Sequence, residues 1–98
     1  MTIEKKLNGT STTLTVIGRL DTVTAPELEK HIEGCAAELE ELVLDCSQLE
    51  YVSSAGLRVI LKTQKMMSKR GGMKLVHVND TIMEVLDITG FTDILTIE

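Results

Sequence analysis

The segment Leu42-Val43-Leu44 is apolar without interruption and lies between two stretches whose apolar residues recur every three or four positions. A strand with no polar alternation is one buried on both faces, the place of a central parallel strand in a sheet covered by helices. Parallel neighbours need long crossover connections, and the flanking helical patterns supply them with right-handed sense. Strands alternating with helices about this run direct the chain toward an α/β architecture with a mixed sheet.

The remaining elements follow from periodicity. Ile3, Lys5 and Leu7 share one face of a first strand, with Glu4 and Lys6 on the other. Asn8-Gly9 predicts a type I′ hairpin turn, in which both central residues take positive φ. Thr12, Leu14 and Val16 then alternate with Thr13, Thr15 and Ile17 in a β-branched run that Gly18 is expected to stop. Thr24-Ala25-Pro26-Glu27 reads as a capping box with proline in the first turn. Leu28, Ile32, Cys35, Ala36 and Leu39 form the stripe of the helix after it. Cys46 to Val52 reads as a connection into a second helix, capped by Ser53 or Ser54 and lined by Leu57, Ile60, Leu61, Gln64 and Met67. Gly71-Gly72 stops that helix, and Met73 to Val78 makes another strand. Asn79, Asp80 or Thr81 caps a short third helix, where Thr81 and Glu84 form a second capping box. Ile94 to Ile97 closes as a last strand, so the expected order is ββαβαβαβ in a mixed sheet. Residues 1–98 read as one domain, with no linker, repeat or low-complexity segment.

Charge and composition remove several functions. Ten basic residues against fifteen acidic leave a net charge of −5, the wrong sign for a general nucleic-acid or anionic-lipid binder. No apolar run approaches the ~20 residues of a membrane span, so no direct membrane insertion is expected. The N-terminus Met1-Thr2-Ile3-Glu4-Lys5-Lys6 has no apolar region behind it, which predicts a cytoplasmic protein. Cys35 and Cys46 are expected as small apolar core residues, and Met66, Met67 and Met73 as core filler. His31 and His77 lack a second ligand at metal spacing, so neither a metal nor a cofactor is expected. A nucleophilic serine would want a base and an orienting carboxylate, and neither G-x-S-x-G nor a glycine-rich phosphate loop is present. The chain is expected not to be an enzyme, with no catalytic residues.

One segment is left over: Asp45-Cys46-Ser47-Gln48-Leu49-Glu50-Tyr51-Val52-Ser53-Ser54-Ala55-Gly56-Leu57-Arg58. It sets two serines where a buried strand's loop turns into a helix. By residue chemistry, one serine is an N-cap worth about 1 kcal/mol. Equally, the small Ala55 and Gly56 leave the helix start open to close approach by another protein. Arg58 is either a solvated cation or an ion-pair donor to a phosphate or acidic partner group. Asp21 is either a turn residue or a partner contact, and Thr24 is a cap before it is a contact.

The run Ser53-Ser54-Ala55-Gly56-Leu57-Arg58 resembles the signature of bacterial anti-sigma factor antagonists, the STAS-domain family. Gly18-Arg19-Leu20-Asp21 followed by Thr24 is similar to that family's G-x-L-D motif, and Asp45 and Gly90-Phe91 also fit. The resemblance spans the whole chain. It implies a four- or five-stranded mixed sheet with helices mainly on one face. It implies a binding module that captures an anti-sigma factor, itself a GHKL-type serine kinase, and releases it when phosphorylated; a PP2C-type phosphatase reverses the step. Aligned on D-S-[ST]-G-L, the phosphoacceptor falls on Ser54, with Ser53 second because it replaces the family's acidic residue. Asp21, Thr24, Ser53, Ser54, Ala55, Gly56 and Arg58 are the implied partner-binding residues, on a chain expected to be monomeric in isolation. The alternative is a STAS accessory domain of a membrane transport system with no phospho-switch, since fold does not settle function.

Overall fold

The computed structural model describes residues 1–98, the side chain of Ala36 excepted. Strand β1 (Thr2–Asn8) turns back into β2 (Ser11–Leu20), the long strand about which the sheet is built. Helix α1 (Ala25–Cys35) and a 3₁₀ turn (Ala36–Glu38) lead to β3 (Glu41–Asp45), in which Leu42, Val43 and Leu44 are all buried. Then come β4 (Leu49–Val52), α2 (Ser54–Met67), β5 (Met73–Val76), α3 (Asp80–Ile88) and a 3₁₀ turn (Phe91–Asp93).

The sheet has five strands in the order β1-β2-β3-β5, with β4 also paired to β2. Only β1 is antiparallel to β2; β3 and β4 both run parallel to it, and β5 runs parallel to β3. On β2, Thr12, Leu14 and Val16 are buried while Thr13, Thr15 and Ile17 are half-buried. The buried face joins Leu28 and Ile32 of α1, Leu57 and Ile60 of α2, and Ile82 and Leu86 of α3 in one apolar cluster. Cys35 and Cys46 belong to it as expected, at 7% and 2% exposure. The α/β class and mixed five-stranded sheet agree with the sequence reading.

Local differences have identifiable causes. Asn8 pairs with Ser11, so the turn residues are Gly9 and Thr10, and only Gly9 (φ 65°) has positive φ. That is the II′ pattern, with glycine first, in place of the type I′ turn over Asn8-Gly9. Gly18 (φ 100°) does not stop β2 but bends it: the register with β4 shifts between Gly18 and Arg19, a bulge that hands β2 from β3 to β4. The expected connection from Cys46 to Val52 therefore contains a strand. Leu49-Glu50-Tyr51-Val52 shows no period-2 alternation, because only its two ends are buried. Strand β5 ends at Val76, since His77 takes φ 57° and leaves the extended region. The closing strand Ile94 to Ile97 reduces to a single parallel bridge, Leu75 to Ile97. Asn79, not Thr81, caps α3, accepting from Ile82 N–H at 2.9 Å. The expected place of Ala36 in the α1 stripe lies outside the described side chains.

Candidate functional site

Strands β2 and β4 run parallel and end together, at Leu20 and Val52. Their shared end brings two segments side by side: the loop from Asp21 to Thr24, and the start of α2. The Ser53 N–H donates to the Leu20 carbonyl at 2.9 Å, tying the two exits together.

Ser53 is the N-cap of α2; its hydroxyl accepts the Gly56 N–H at 3.3 Å. This resolves the choice between the two serines, because a cap residue must precede the first helical residue. Ser54 is that first residue. It is exposed, and among the described residues its hydroxyl has no hydrogen-bond partner. Gly56 is buried, and its missing side chain is explained by Leu20: a Cβ there would stand 2.7 Å from Leu20 Cγ. Its role is close packing of helix on strand; half-buried Ala55 packs at the margin of the core, and Arg58 is exposed. Arg58 lies four residues beyond Ser54, on the same helix face.

The loop before α1 is locked by its own side chains. Asp21 Oδ1 accepts the Val23 and Thr24 N–H groups at 3.0 and 3.1 Å. The Thr24 hydroxyl accepts the Asp21 N–H at 2.8 Å and has one proton to give, to the Arg19 carbonyl at 2.7 Å or to Asp21 Oδ1 at 3.2 Å. Thr24 thus points back into the loop, and the capping box expected with Glu27 is not formed; Glu27 N–H donates to the Thr24 backbone carbonyl instead. The Thr24 amide, foremost among several donors, holds the Asp21 carboxyl below its ordinary pKa. Both residues define the shape of the loop.

Between the α1 and α2 starts lies a cleft of about 250 Å³, bordered by Thr22, Pro26 and Glu29 on one side and by Ala55, Arg58 and Lys62 on the other. Lys62 bridges to Glu29 at 2.9 Å, which ties α2 to α1 and raises the lysine pKa. Arg58 makes no ion pair among the described residues. The structure thus brings Asp21, Thr24, Ser53, Ser54, Ala55 and Arg58 to one end of the sheet, with Gly56 beneath them.

Two contributors escaped the sequence reading. Arg19 stacks over the Tyr51 ring at 4.3 Å from its centroid and approaches Asp21 at 3.9 Å. The pair is cross-strand (Arg19 opposite Tyr51 in the β2–β4 register) and becomes visible only once β4 is known. Among the described residues no group of three or more His, Cys, Asp or Glu side chains is placed to hold a metal. No helix among the described residues is long and apolar enough to cross a membrane.

Comparison with known proteins agrees with the fold. A family model described as the STAS domain matches residues 2–98. The anti-sigma-B factor antagonist of Bacillus subtilis is 30% identical over 96 residues, covering 97% of this chain and 88% of its own. An anti-sigma factor antagonist from Mycobacterium paratuberculosis, known by crystal structure, superposes with a TM-score of 0.89 at 27% identity, covering 98% of this chain and 83% of that one. The Bacillus cell fate determinant SpoIIAA, solved in its phosphorylated form, shares the fold with a TM-score of 0.76 at 13% identity, over 99% of this chain and 91% of its own.

Proposed function

The chain belongs to the STAS domain family, and on that premise we propose that it is an anti-sigma factor antagonist, a binding protein whose grip on its partner is released by phosphorylation of Ser54. The observation that carries this reading is the division of labour between the two serines. Ser53 is engaged as the helix cap, and Ser54 stands exposed with an unengaged hydroxyl on the first turn of α2. The relative from Bacillus subtilis, named for antagonism of an anti-sigma factor, supports the class of partner.

The physics of release is local. A phosphate adds about −1.5 to −2 charges at neutral pH. The free N–H groups and macrodipole at the start of α2 favour an anion, and Arg58 is one turn away, without an ion pair among the described residues. The domain therefore carries the modification without unfolding. The partner, an anti-sigma factor that is also a GHKL-type serine kinase, holds nucleotide phosphates beside the acceptor, so the added charge and bulk fall on its side of the interface. A PP2C-type phosphatase restores the binding form in the cytoplasm. Asp21 and Thr24 contribute by holding the adjoining loop rigid.

The test is affinity purification from the native host with wild type, Ser54→Ala and Ser54→Asp, read by mass spectrometry with phosphosite mapping. The expected result is a GHKL-type kinase retained by wild type and Ser54→Ala and depleted with Ser54→Asp, with phosphate on Ser54 alone. Stoichiometric phosphorylation of Ser54→Ala elsewhere overturns the site. Equal capture of membrane transport subunits by all three proteins, with no kinase, overturns the function.

A further inference from the structure

The Arg19–Tyr51 pair joins β2 to β4 across the sheet and leaves most of the guanidinium exposed. Arg19 is 60% exposed at its side chain, and Tyr51, the chain's single tyrosine, is 41% exposed. An exposed arginine ordinarily samples many rotamers; this one is restrained twice, by the ring at 4.3 Å and by Asp21 at 3.9 Å. The atom nearest Asp21 is Nε, so the terminal fork is not spent on that carboxylate. Among the described residues the two terminal nitrogens have no hydrogen-bond partner. A planar guanidinium stacked on a ring, exposed and with its terminal nitrogens unengaged, matches a carboxylate in bidentate geometry.

Position adds to chemistry. Arg19 stands directly before Leu20-Asp21, and Tyr51 stands three residues before Ser54, at the shared exit of β2 and β4. Along the chain the pair is thus two residues from Asp21 and three from Ser54, on two strands whose backbones are mutually hydrogen-bonded. Arginine and tyrosine are among the residues that carry most of the energy of protein interfaces, above all when preorganised. On a chain of net charge −5, a cation at this rim also selects among partners by sign.

We propose that Arg19, stacked on Tyr51, is a specificity contact that binds an aspartate or glutamate side chain of the partner protein alongside Ser54. The inference rests on the binding reading given above and adds to it a residue and a ligand chemistry. Tyr51 acts as a positioning residue: its ring holds the guanidinium, and its hydroxyl is not needed.

The probe is the anti-sigma factor recovered by the Ser54→Ala protein, purified and titrated with the full unphosphorylated chain and variants. Arg19→Ala and Tyr51→Leu are each expected to weaken binding about tenfold or more, and Tyr51→Phe to leave it within about twofold. Arg19→Lys, which keeps the charge but loses the fork, is expected to fall between wild type and Arg19→Ala. Between about 50 and about 300 mM NaCl, wild type is expected to lose more affinity than Arg19→Ala, as a charge contact requires. Circular dichroism melts of the variants verify that the fold is retained. Affinities within twofold of wild type for both Arg19→Ala and Tyr51→Leu overturn the proposal. The same titration is run with the Ser54-phosphorylated chain, and an Arg19 effect confined to that form also overturns the proposal, since it would make Arg19 a reader of its own phosphate. Capture of no anti-sigma factor by Ser54→Ala is a separate failure, seen before any Arg19 variant is titrated, and overturns the functional reading together with this one.

Discussion

Replacement of Gly56 by alanine sets helix propensity against packing, and the geometry says which wins. A Cβ at this position would lie 2.7 Å from Leu20 Cγ, 2.9 Å from the Leu20 carbonyl oxygen and 3.0 Å from Leu20 Cδ2. Nonbonded carbons settle at about 3.5–4.0 Å, so the leucine must retreat by roughly 1 Å. It has little room, being 1% exposed. Its carbonyl is also the acceptor for Ser53 N–H at 2.9 Å, so moving that oxygen breaks the tie between β2 and α2. Forced overpacking of this kind costs about 1–3 kcal/mol. Alanine recovers about 1 kcal/mol of helix propensity over glycine. With a backbone oxygen among the clashing atoms, the upper part of the packing range applies. The net loss is then about 1–2 kcal/mol, or a Tm about 4–15 °C lower for a chain of this size. Gly34 is the matched control. It lies in the last turn of α1, where an added Cβ would meet nothing within 4 Å, and it has no positive φ. Gly34→Ala is expected to raise stability by about 0.5–1 kcal/mol. Thermal and urea unfolding followed by circular dichroism measure both. A Gly56→Ala protein as stable as wild type, beside a stabilised Gly34→Ala, would refute the clash reasoning.

The two serines separate in the same assay: Ser53→Ala is expected to lose about 1 kcal/mol with its cap, while Ser54→Ala stays within about 0.5 kcal/mol of wild type. Asp21 has a folded pKa below its unfolded value. Its contribution is therefore present above the unfolded pKa of about 3.9 and lost as pH falls through the folded one. Urea titrations should show Asp21→Asn less stable than wild type at neutral pH and the gap closing in acid; a gap that widens in acid contradicts the assignment. Burial, then the Asp45 charge, pushes the Cys46 thiol up to about 12, so iodoacetamide at pH 8 should leave it unlabelled in the native protein and modify it in urea; mass spectrometry reads the difference. His77 holds φ 57° with its side chain exposed, so His77→Gly is expected to melt no lower than wild type, and a marked loss would show that the side chain has a stabilising contact.

Local pattern was enough for the architecture. The apolar run Leu42 to Leu44, the α1 stripe through Leu28, Ile32, Cys35 and Leu39, and the hairpin before them specify strands and helices because burial in each depends on the residue's own spacing. The pair of serines ahead of Ala55-Gly56 marked the start of α2, where the functional site is proposed, for the same reason: a helix start is written in consecutive residues. Relations between distant segments were not legible. Strand β4 exists because the bulge at Gly18 offers it a new edge of β2, and four residues buried only at their ends carry no periodicity that announces a strand. Thr24 left its expected cap because the Arg19 carbonyl and the Asp21 backbone amide compete for its hydroxyl more closely than the helix does. Gly56 reads as an open position in the sequence and is a filled one in the fold, since only the packed sheet sets Leu20 against it. The choice of Ser53 as cap and Ser54 as free hydroxyl, and the stacking of Arg19 on Tyr51, likewise awaited the joint exit of β2 and β4. Spacing along the chain determines which faces are buried; hydrogen-bond competition and close contact between faces are decided only when the strands are side by side.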